Sequence, residues 1–145
     1  MIKSTIIHPE LMLGLAEAGH GAKILLADAN YPVTVKSNPD ARIVYLNFIP
    51  GIVGGVDIIR AVASMIPVES ALFMAPPDGK MPAVVSEYRK LIPKSAPFAS
   101  LSRFDFYDEA CTQDVSLVIA SGEQRVYANL LLTVGVIQPK AGKGK

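Results

Sequence analysis

A histidine between two glycines, His20, is the residue of this sequence best suited to proton transfer. Its neighbours Gly19 and Gly21 carry no side chains, so the imidazole ring stays approachable. Imidazole titrates near neutral pH, as a general acid or base should. A histidine at the end of a helix also commonly caps backbone carbonyls or faces solvent, and spacing alone leaves that structural role open.

An aspartate, Asp28, follows four apolar residues in a row, 24–27. Such a run is typical of a short strand that is buried on both faces in a parallel sheet. In open α/β sheets, ligands bind outside the carboxyl ends of the strands, and Asp28 is predicted to lie there. Burying its carboxylate unpaired would be costly, so we expect it to meet solvent or a ligand. Aspartate also commonly starts turns, which is the structural alternative.

Three further side chains are suited to binding hydroxyl groups. Arg103 stands among the aromatic residues of 104–107, where it could instead stack on rings at a subunit contact. Tyr127 and Asn129 are two residues apart, in the last apolar run of the chain. On a strand they would face the same side, either toward a ligand or as an exposed pair at a sheet edge.

One imidazole with these carboxylate, guanidinium, phenol and amide groups suits proton transfer on a polyhydroxylated ligand. No nucleophile elbow surrounds any serine, so Ser/His/Asp catalysis is not indicated. The two histidines and the single Cys111 are far apart and lack the spacing of metal ligands. His8, which precedes a proline at a predicted helix start, is interpreted as structural. We therefore expect neither a metal site nor a covalent nucleophile.

Strands and helices alternate over most of the length. We predict helices from Pro9 to Ala18, over 56–65 and over 82–92, and strands over 23–27, 42–46, 69–74 and 115–120. The segment 100–110 gathers aromatic residues before a short helix, and a last apolar run covers 126–137 with a break at Gly135. Gly54 and Gly55 are interpreted as a flexible turn, because their surroundings do not match a phosphate-binding loop.

This alternation predicts a three-layer αβα sandwich with a mixed, mostly parallel sheet, because the final two strands follow one another without a helix. The chain of 145 residues is expected to form one domain, 1–145, with a flexible tail at 139–145. Half of the residues are hydrophobic and only 19% are charged, which indicates that identical subunits cover part of the surface.

Composition also limits the partners and the compartment. The net charge is +1, with basic residues scattered along the chain, so nucleic-acid binding is disfavoured. A single cysteine fits a reducing compartment. No signal segment is evident, and no apolar stretch approaches the roughly 20 residues of a membrane span. We expect a cytoplasmic protein without a membrane partner.

Several short motifs occur in a characteristic order along nearly the whole chain. They are Gly19-His20-Gly21, Ala27-Asp28-Ala29-Asn30-Tyr31-Pro32, Arg103-Phe104-Asp105-Phe106-Tyr107, Gly122-Glu123, Tyr127-Ala128-Asn129 and Gly135-Val136-Ile137. This ordered set resembles the fucose mutarotase and ribose pyranase family. The Arg-Phe-x-Phe-Tyr segment is more like the fucose mutarotase branch, whereas the Tyr-Ala-Asn form also occurs in the ribose pyranase branch.

The resemblance implies an aldose mutarotase of the fucose type that opens and recloses a sugar ring without a cofactor. The alternatives are a D-ribose pyranase type of isomerase and a non-catalytic sugar-binding or transport-accessory protein. It implies that His20 is the catalytic acid and that the sugar is held by Asp28, Arg103, Tyr127, the main chain of Ala128, and Asn129. It further implies a ring-shaped homo-oligomer, a decamer in bacteria, with sites near subunit contacts.

Two features of this sequence depart from the resemblance. Ala22 stands where family members often carry an acidic residue directly after Gly-His-Gly. The segment between Phe106 and Tyr127 is slightly longer than the corresponding segment of typical fucose mutarotases. A geometric condition also applies, because residues 20–28 in an extended chain would separate His20 and Asp28 by roughly 26 Å. The two can share a sugar only if the glycine segment doubles back or if the site is assembled across a subunit boundary.

Overall fold

The computed structural model of the chain describes residues 1–139, so most of the tail predicted at 139–145 lies outside the described residues. The helices are α1 (Pro9–Glu17), α2 (Gly55–Ala63), α3 (Ala83–Arg89) and α4 (Arg103–Ala110). The strands are β1 (Lys23–Ala27), β2 (Arg42–Tyr45), β3 (Val68–Met74), β4 (Phe98–Leu101), β5 (Val115–Ala120) and β6 (Leu130–Val134). Within residues 1–139, no helix has the length and apolar character that crossing a membrane requires.

The strands form one six-stranded sheet in the order β2-β5-β1-β6-β3-β4. Strand β6 runs antiparallel to both of its neighbours, β1 and β3, whereas the other pairings are parallel. The predicted mixed, mostly parallel sheet is therefore confirmed. Because β1 lies between β5 and β6, the connection 121–129 crosses the carboxyl end of β1, where Ser121 donates to the carbonyl of Ala27 over 3.0 Å.

Both faces of the sheet are covered, as the apolar run of β1 predicts. Ile24 and Leu26 pack in the cluster that contains buried residues of α1, α2 and α3. Leu25 and Ala27 point to the opposite face and pack with buried residues of α4. Each fully buried leucine or isoleucine stabilises the fold by roughly 1.5–3 kcal/mol. The residues of β1 therefore contribute to the hydrophobic cores on both faces of the sheet. The predicted three-layer αβα architecture is confirmed.

The structure differs from the prediction on both sides of Arg103. The short edge strand β4 was not predicted, and the aromatic segment forms helix α4 itself. This helix begins at Arg103 because the hydroxyl of Ser102 accepts a hydrogen bond from the backbone N–H of Asp105 over 3.3 Å. Serine is a favoured N-cap residue, so this start was readable from the sequence.

The last strand is shorter than the predicted run over 126–137. It begins at Leu130 and ends at Val134, so the break predicted at Gly135 is confirmed. Placing Tyr127 and Asn129 on this strand was wrong, because both precede it. Tyr127 has a φ of 57°, in the left-handed region that a strand does not use.

Candidate functional site

The carboxyl group of Asp28 lies at the end of β1 and is held by three donors. Its Oδ1 accepts from the backbone N–H of Asn30 over 2.9 Å. Its Oδ2 accepts from Asn129 Nδ2 over 3.0 Å and from the backbone N–H of Ala128 over 3.3 Å. Asp28 is only 5% exposed, and this burial raises the pKa of its carboxyl group, while the hydrogen bonds oppose the rise. The carboxylate is oriented by the loop that crosses over it.

A cavity of about 340 Å³ opens beside Asp28. Four of the side chains predicted to bind a ligand line it, namely those of Asp28, Arg103, Tyr127 and Asn129. The remaining lining residues are Asn30, Tyr31, Met74, Tyr107 and Val126. The volume lies within the range of small-molecule sites, and polar groups converge between aromatic walls. This combination suits a small ligand that carries several hydroxyl groups.

Arg103 and Tyr127 form one wall of this cavity. As the first residue of α4, Arg103 reaches the hydroxyl oxygen of Tyr127 and donates a hydrogen bond to it. Its guanidinium carbon also lies 5.4 Å from the centre of the Tyr127 ring. The hydrogen bond raises the pKa of Arg103 further above its ordinary value. The wall therefore offers a fixed positive charge, with further N–H donors, beside the cavity.

The crossing loop is fixed by a second buried carboxylate, that of Glu123, which the sequence analysis quoted only within the motif Gly122-Glu123. Its two oxygens accept hydrogen bonds of 2.8 Å from Arg125 Nε and Nη2, and Oε2 also accepts from the backbone N–H of Gly55 over 3.1 Å. The guanidinium of Arg125 lowers the pKa of Glu123 to about 2. Arg125 Nη1 donates to Glu87 of α3 over 2.7 Å. The loop is thus tied to α2 and α3.

The main chain of Ala128 is engaged on both sides. Its N–H donates to Asp28, and its carbonyl accepts a hydrogen bond of 3.3 Å from the fully buried hydroxyl of Tyr88. Tyr88 fits only because α2 begins with a glycine. A Cβ atom on Gly55 would lie 1.9 Å from the Tyr88 hydroxyl. The backbone between Tyr127 and Asn129 is therefore held in place by protein groups.

His20 lies at the opposite end of β1 from this cavity. The turn before the strand, with Gly21 at a φ of 82°, leads directly into β1, and the N–H of Gly21 donates to the carbonyl of Val134 over 2.9 Å. Of the two alternatives that the sequence left open, the doubling back of the glycine segment toward Asp28 does not occur within the chain. His20 borders a separate cavity of about 390 Å³, and its Nε2 lies 2.9 Å from Glu69 Oε2. One chain thus brings four predicted side chains together but not the histidine.

The described part of the chain, residues 1–139, contains no group of three or more histidine, cysteine, aspartate or glutamate side chains placed to hold a metal ion. The titratable side chains lining the two cavities that are described above are an imidazole, a carboxyl group, phenols and a guanidinium.

Residues 1–137 match the family described as the RbsD / FucU transport protein family. The chain belongs to this family. It is 30% identical to the fucose mutarotase of Bos taurus, over 93% of this chain and 92% of the relative. It is 28% identical to the D-ribose pyranase of Chloroflexus aggregans, over 94% of this chain and 99% of the relative. The resemblance drawn from the ordered motifs is confirmed.

The solved structure of a fucose mutarotase supports the fold assignment. The fucose mutarotase of Streptococcus pneumoniae in complex with L-fucose superposes with a TM-score of 0.81 at 26% identity, covering 95% of this chain and all of that one. Nearly the whole length of this RbsD / FucU family member is therefore matched by a single fold.

Proposed function

We propose that this protein is an aldose mutarotase, which interconverts the anomers of a monosaccharide such as L-fucose. The observation that carries the proposal is the convergence of Asp28, Arg103, Tyr127 and Asn129 on one cavity of about 340 Å³. Carboxylate, guanidinium, phenol and amide groups bind sugar hydroxyls by complementary hydrogen bonds. A relative named fucose mutarotase and a neighbour solved with L-fucose support this choice of ligand.

The reaction needs two proton transfers and no redox change. A pyranose is a cyclic hemiacetal, so opening its ring requires a proton for the ring oxygen and the removal of one from the anomeric hydroxyl. His20 delivers the first proton, and a second group or a bound water accepts the other. The open aldehyde turns about one bond and recloses on its other face. A positioned acid or base contributes about 10²–10⁴-fold, and holding the open form in a closing geometry adds to this.

His20 of one copy completes the Asp28 cavity of a neighbouring copy, because the two residues lie at opposite ends of β1 within a chain. Exposed apolar side chains lie near both His20 and the Asp28 cavity, as expected of a surface that contacts another subunit. Val136 and Ile137 are exposed and line the His20 cavity with the histidine. Val126 is exposed and lines the Asp28 cavity, and the exposed ring of Phe104 lies against Tyr107, another residue of that lining. The low charged fraction of 19% supports a homo-oligomer in the same way, and we propose a decameric ring.

A second candidate is an isomerase of the D-ribose pyranase type. The observation in its favour is that a D-ribose pyranase matches at 28% identity, close to the 30% of the bovine fucose mutarotase. A third candidate, a non-catalytic sugar-binding or transport-accessory protein, is favoured by the name of the family, which describes transport proteins. The first two predict accelerated sugar isomerisation, and the third predicts binding alone.

Exchange NMR of the anomeric protons separates these candidates. We expect the wild-type protein to accelerate exchange between the anomers of L-fucose, and His20→Ala to suppress that acceleration. Testing D-ribose, with its pyranose and furanose signals resolved, identifies the preferred sugar. Contact with a sugar but no acceleration at any protein concentration would support the binding protein and contradict the enzyme.

A further inference from the structure

We propose that a second cavity, next to the Asp28 cavity, binds the second ring of a reducing disaccharide, so that the substrates extend beyond monosaccharides. This inference rests on the proposed function. The second cavity has a volume of about 480 Å³ and is called the Pro77 cavity below. It lies between the turn that follows β3, residues 100–102 at the end of β4, and the first residues of α4.

The two cavities share a wall. Arg103 and Tyr127 line both of them. A guanidinium has five N–H donors, and the structure shows one hydrogen bond from Arg103, to the hydroxyl of Tyr127. The remaining donors are available to sugar oxygens on either side of the wall. A ligand that fills the Asp28 cavity and extends past this pair of side chains therefore enters the Pro77 cavity.

An aromatic pair also continues from one cavity to the other. Phe104 lines the Pro77 cavity and Tyr107 lines the Asp28 cavity. Their rings meet edge to face, with the ring centres 6.4 Å apart. Phe104 is 73% exposed, so most of its ring is available for contact with a ligand. Exposed aromatic surface at the rim of a concave site is typical of a place where a ligand binds.

The lining of the Pro77 cavity suits a sugar ring. A pyranose has an apolar face of C–H groups and a rim of hydroxyl groups. Pro76, Pro77, Leu101 and Phe104 give this cavity apolar walls, and the exposed Ser100 adds a hydroxyl that can donate and accept. The volume lies within the range of about 300–1,000 Å³ that small-molecule sites occupy. A second neutral ring is therefore the ligand that this cavity favours.

The walls of the Pro77 cavity are fixed by hydrogen bonds. Residues 100–101 of β4 pair with residues 73–74 of β3. The turn after β3 is closed by the N–H of Gly79, which donates to the carbonyl of Pro76 over 2.9 Å. The proline rings restrict the backbone of this turn further. A ligand therefore meets a preformed surface and loses little affinity to the ordering of protein groups.

The chemistry of ring opening decides which ring lies in which cavity. The non-reducing ring of a disaccharide is an acetal, which has no anomeric hydroxyl proton to lose, so it stays closed. The reducing ring is a hemiacetal and lies in the Asp28 cavity, where it opens and recloses by the same two proton transfers as a monosaccharide. The bond between the rings leaves from one of its other hydroxyl positions, passes the wall of Arg103 and Tyr127, and is not broken.

Exchange NMR on L-fucose and on disaccharides of L-fucose tests this assignment. The disaccharides join the two rings through each non-anomeric hydroxyl of the reducing ring in turn. We expect the wild-type protein to accelerate anomer exchange of L-fucose and of at least one disaccharide. Ser100→Trp places a bulky side chain in the Pro77 cavity and is expected to lower kcat/KM for that disaccharide about tenfold or more, with the value for L-fucose unchanged.

A second variant removes a contact instead of adding bulk. Phe104→Ala is expected to raise KM for the disaccharide about three- to tenfold, because an aromatic contact is lost. Phe48→Ala is the matched control, since Phe48 is 85% exposed but lines neither cavity. It should act on the disaccharide like the wild-type protein. Equal effects of the Phe104 and Phe48 substitutions would contradict a specific contact with the second ring.

Saturation-transfer NMR gives a readout that is independent of activity. We expect protons of the non-reducing ring to receive saturation from the wild-type protein and to lose it in Ser100→Trp. Acceleration of L-fucose but of none of the disaccharides would overturn the inference. A change of oligomeric state in Ser100→Trp, seen by analytical ultracentrifugation, would also overturn it, by assigning the cavity to a neighbouring copy. If no sugar is accelerated, the proposed function fails, whereas saturation transfer still reports whether the second ring is bound.

Discussion

Asp28 and Asn129 hold each other by two hydrogen bonds across the carboxyl end of β1. The backbone N–H of Asp28 donates to Asn129 Oδ1 over 2.8 Å, and Asn129 Nδ2 returns a hydrogen bond of 3.0 Å to Asp28 Oδ2. Both residues are buried, at 5% and 3% exposure. This pair joins the strand that begins the site to the loop that completes it.

Replacing Asn129 is therefore expected to affect both stability and ligand binding. Asn129→Ala leaves the Asp28 N–H without its acceptor and removes a donor from the carboxylate, so the free energy of unfolding should fall by about 1–3 kcal/mol in urea denaturation. Asn38→Ala is the matched control, because Asn38 is equally buried and donates to the carbonyl of Val115, away from the cavity. The control should lose stability but retain sugar binding. Equal sugar affinity in the two variants would contradict the account.

The wall formed by Arg103 and Tyr127 makes a separate prediction. Arg103→Ala removes a charged donor from the cavity and is expected to weaken sugar affinity about tenfold or more, measured by NMR titration. Arg103→Lys should restore little, because an ammonium lacks the planar array of donors. Arg60→Ala, which removes an exposed arginine on α2, serves as the control and should bind normally. Wild-type affinity in Arg103→Ala would show that this wall does not touch the sugar.

The lowered pKa of Glu123 predicts how the free energy of unfolding depends on pH. Its pKa is lowered from 4.5 in the unfolded chain to about 2 in the folded protein, chiefly by its hydrogen bonds to Arg125. A lowered carboxyl pKa stabilises the fold above the unfolded value, and that stabilisation is lost as the pH falls from about 4.5 through about 2. The contribution at neutral pH is at most about 3 kcal/mol.

Urea denaturation between pH 7 and pH 2.5 measures this contribution when wild type and Glu123→Gln are compared. The difference in unfolding free energy should be largest near neutral pH and should shrink below pH 4.5. Comparing the two proteins at each pH cancels the opposing influence of Asp28, whose raised pKa has the reverse sign. A difference that stays constant across this range would contradict the assigned pKa.

The close packing of Tyr88 against Gly55 predicts that a side chain at position 55 destabilises the fold. A methyl group there would lie 1.9 Å from the Tyr88 hydroxyl, so Gly55→Ala must displace Tyr88 and release the carbonyl of Ala128. We expect a loss of about 1–3 kcal/mol in unfolding free energy, partly recovered in the double variant with Tyr88→Phe. Gly19→Ala is the control for stability, because a Cβ atom at Gly19 meets nothing within 4 Å. Equal stability of the two alanine variants would argue against the close contact.

The sheet could be predicted from the sequence because its signals are local. The apolar run before Asp28 and the strand over 115–120 are strong patterns, and both strands begin and end at the predicted residues. The end of β6 before Gly135 was likewise predictable from the local sequence, because the glycine itself is the signal. The four residues of β4 form a strand only because β3 pairs with them, and no pattern within 98–101 reveals that pairing.

The site was harder to predict because its contacts join distant parts of the chain. Tyr127 and Asn129 were predicted to share one face of a strand, but they meet the same cavity from a loop in which Tyr127 has a positive φ. The contact of Glu69 with His20 depends on a bulge whose position follows from the register of β3 with β6. One local signal could have been used for the contact that fixes the loop 121–129. The Gly-Glu-x-Arg spacing at 122–125 places Glu123 two residues before Arg125, with which it pairs.

Mixed oligomers test most directly whether the site is shared between subunits. His20→Ala and Arg103→Ala are coexpressed with different affinity tags, and assemblies carrying both tags are purified and assayed by exchange NMR at sugar concentrations below KM. If each site takes His20 from one chain and the Asp28 cavity from another, about a quarter of the sites in a randomly mixed assembly are intact, and activity returns in that proportion. Mixed assemblies no more active than the two parent variants would contradict a site completed by a neighbouring copy.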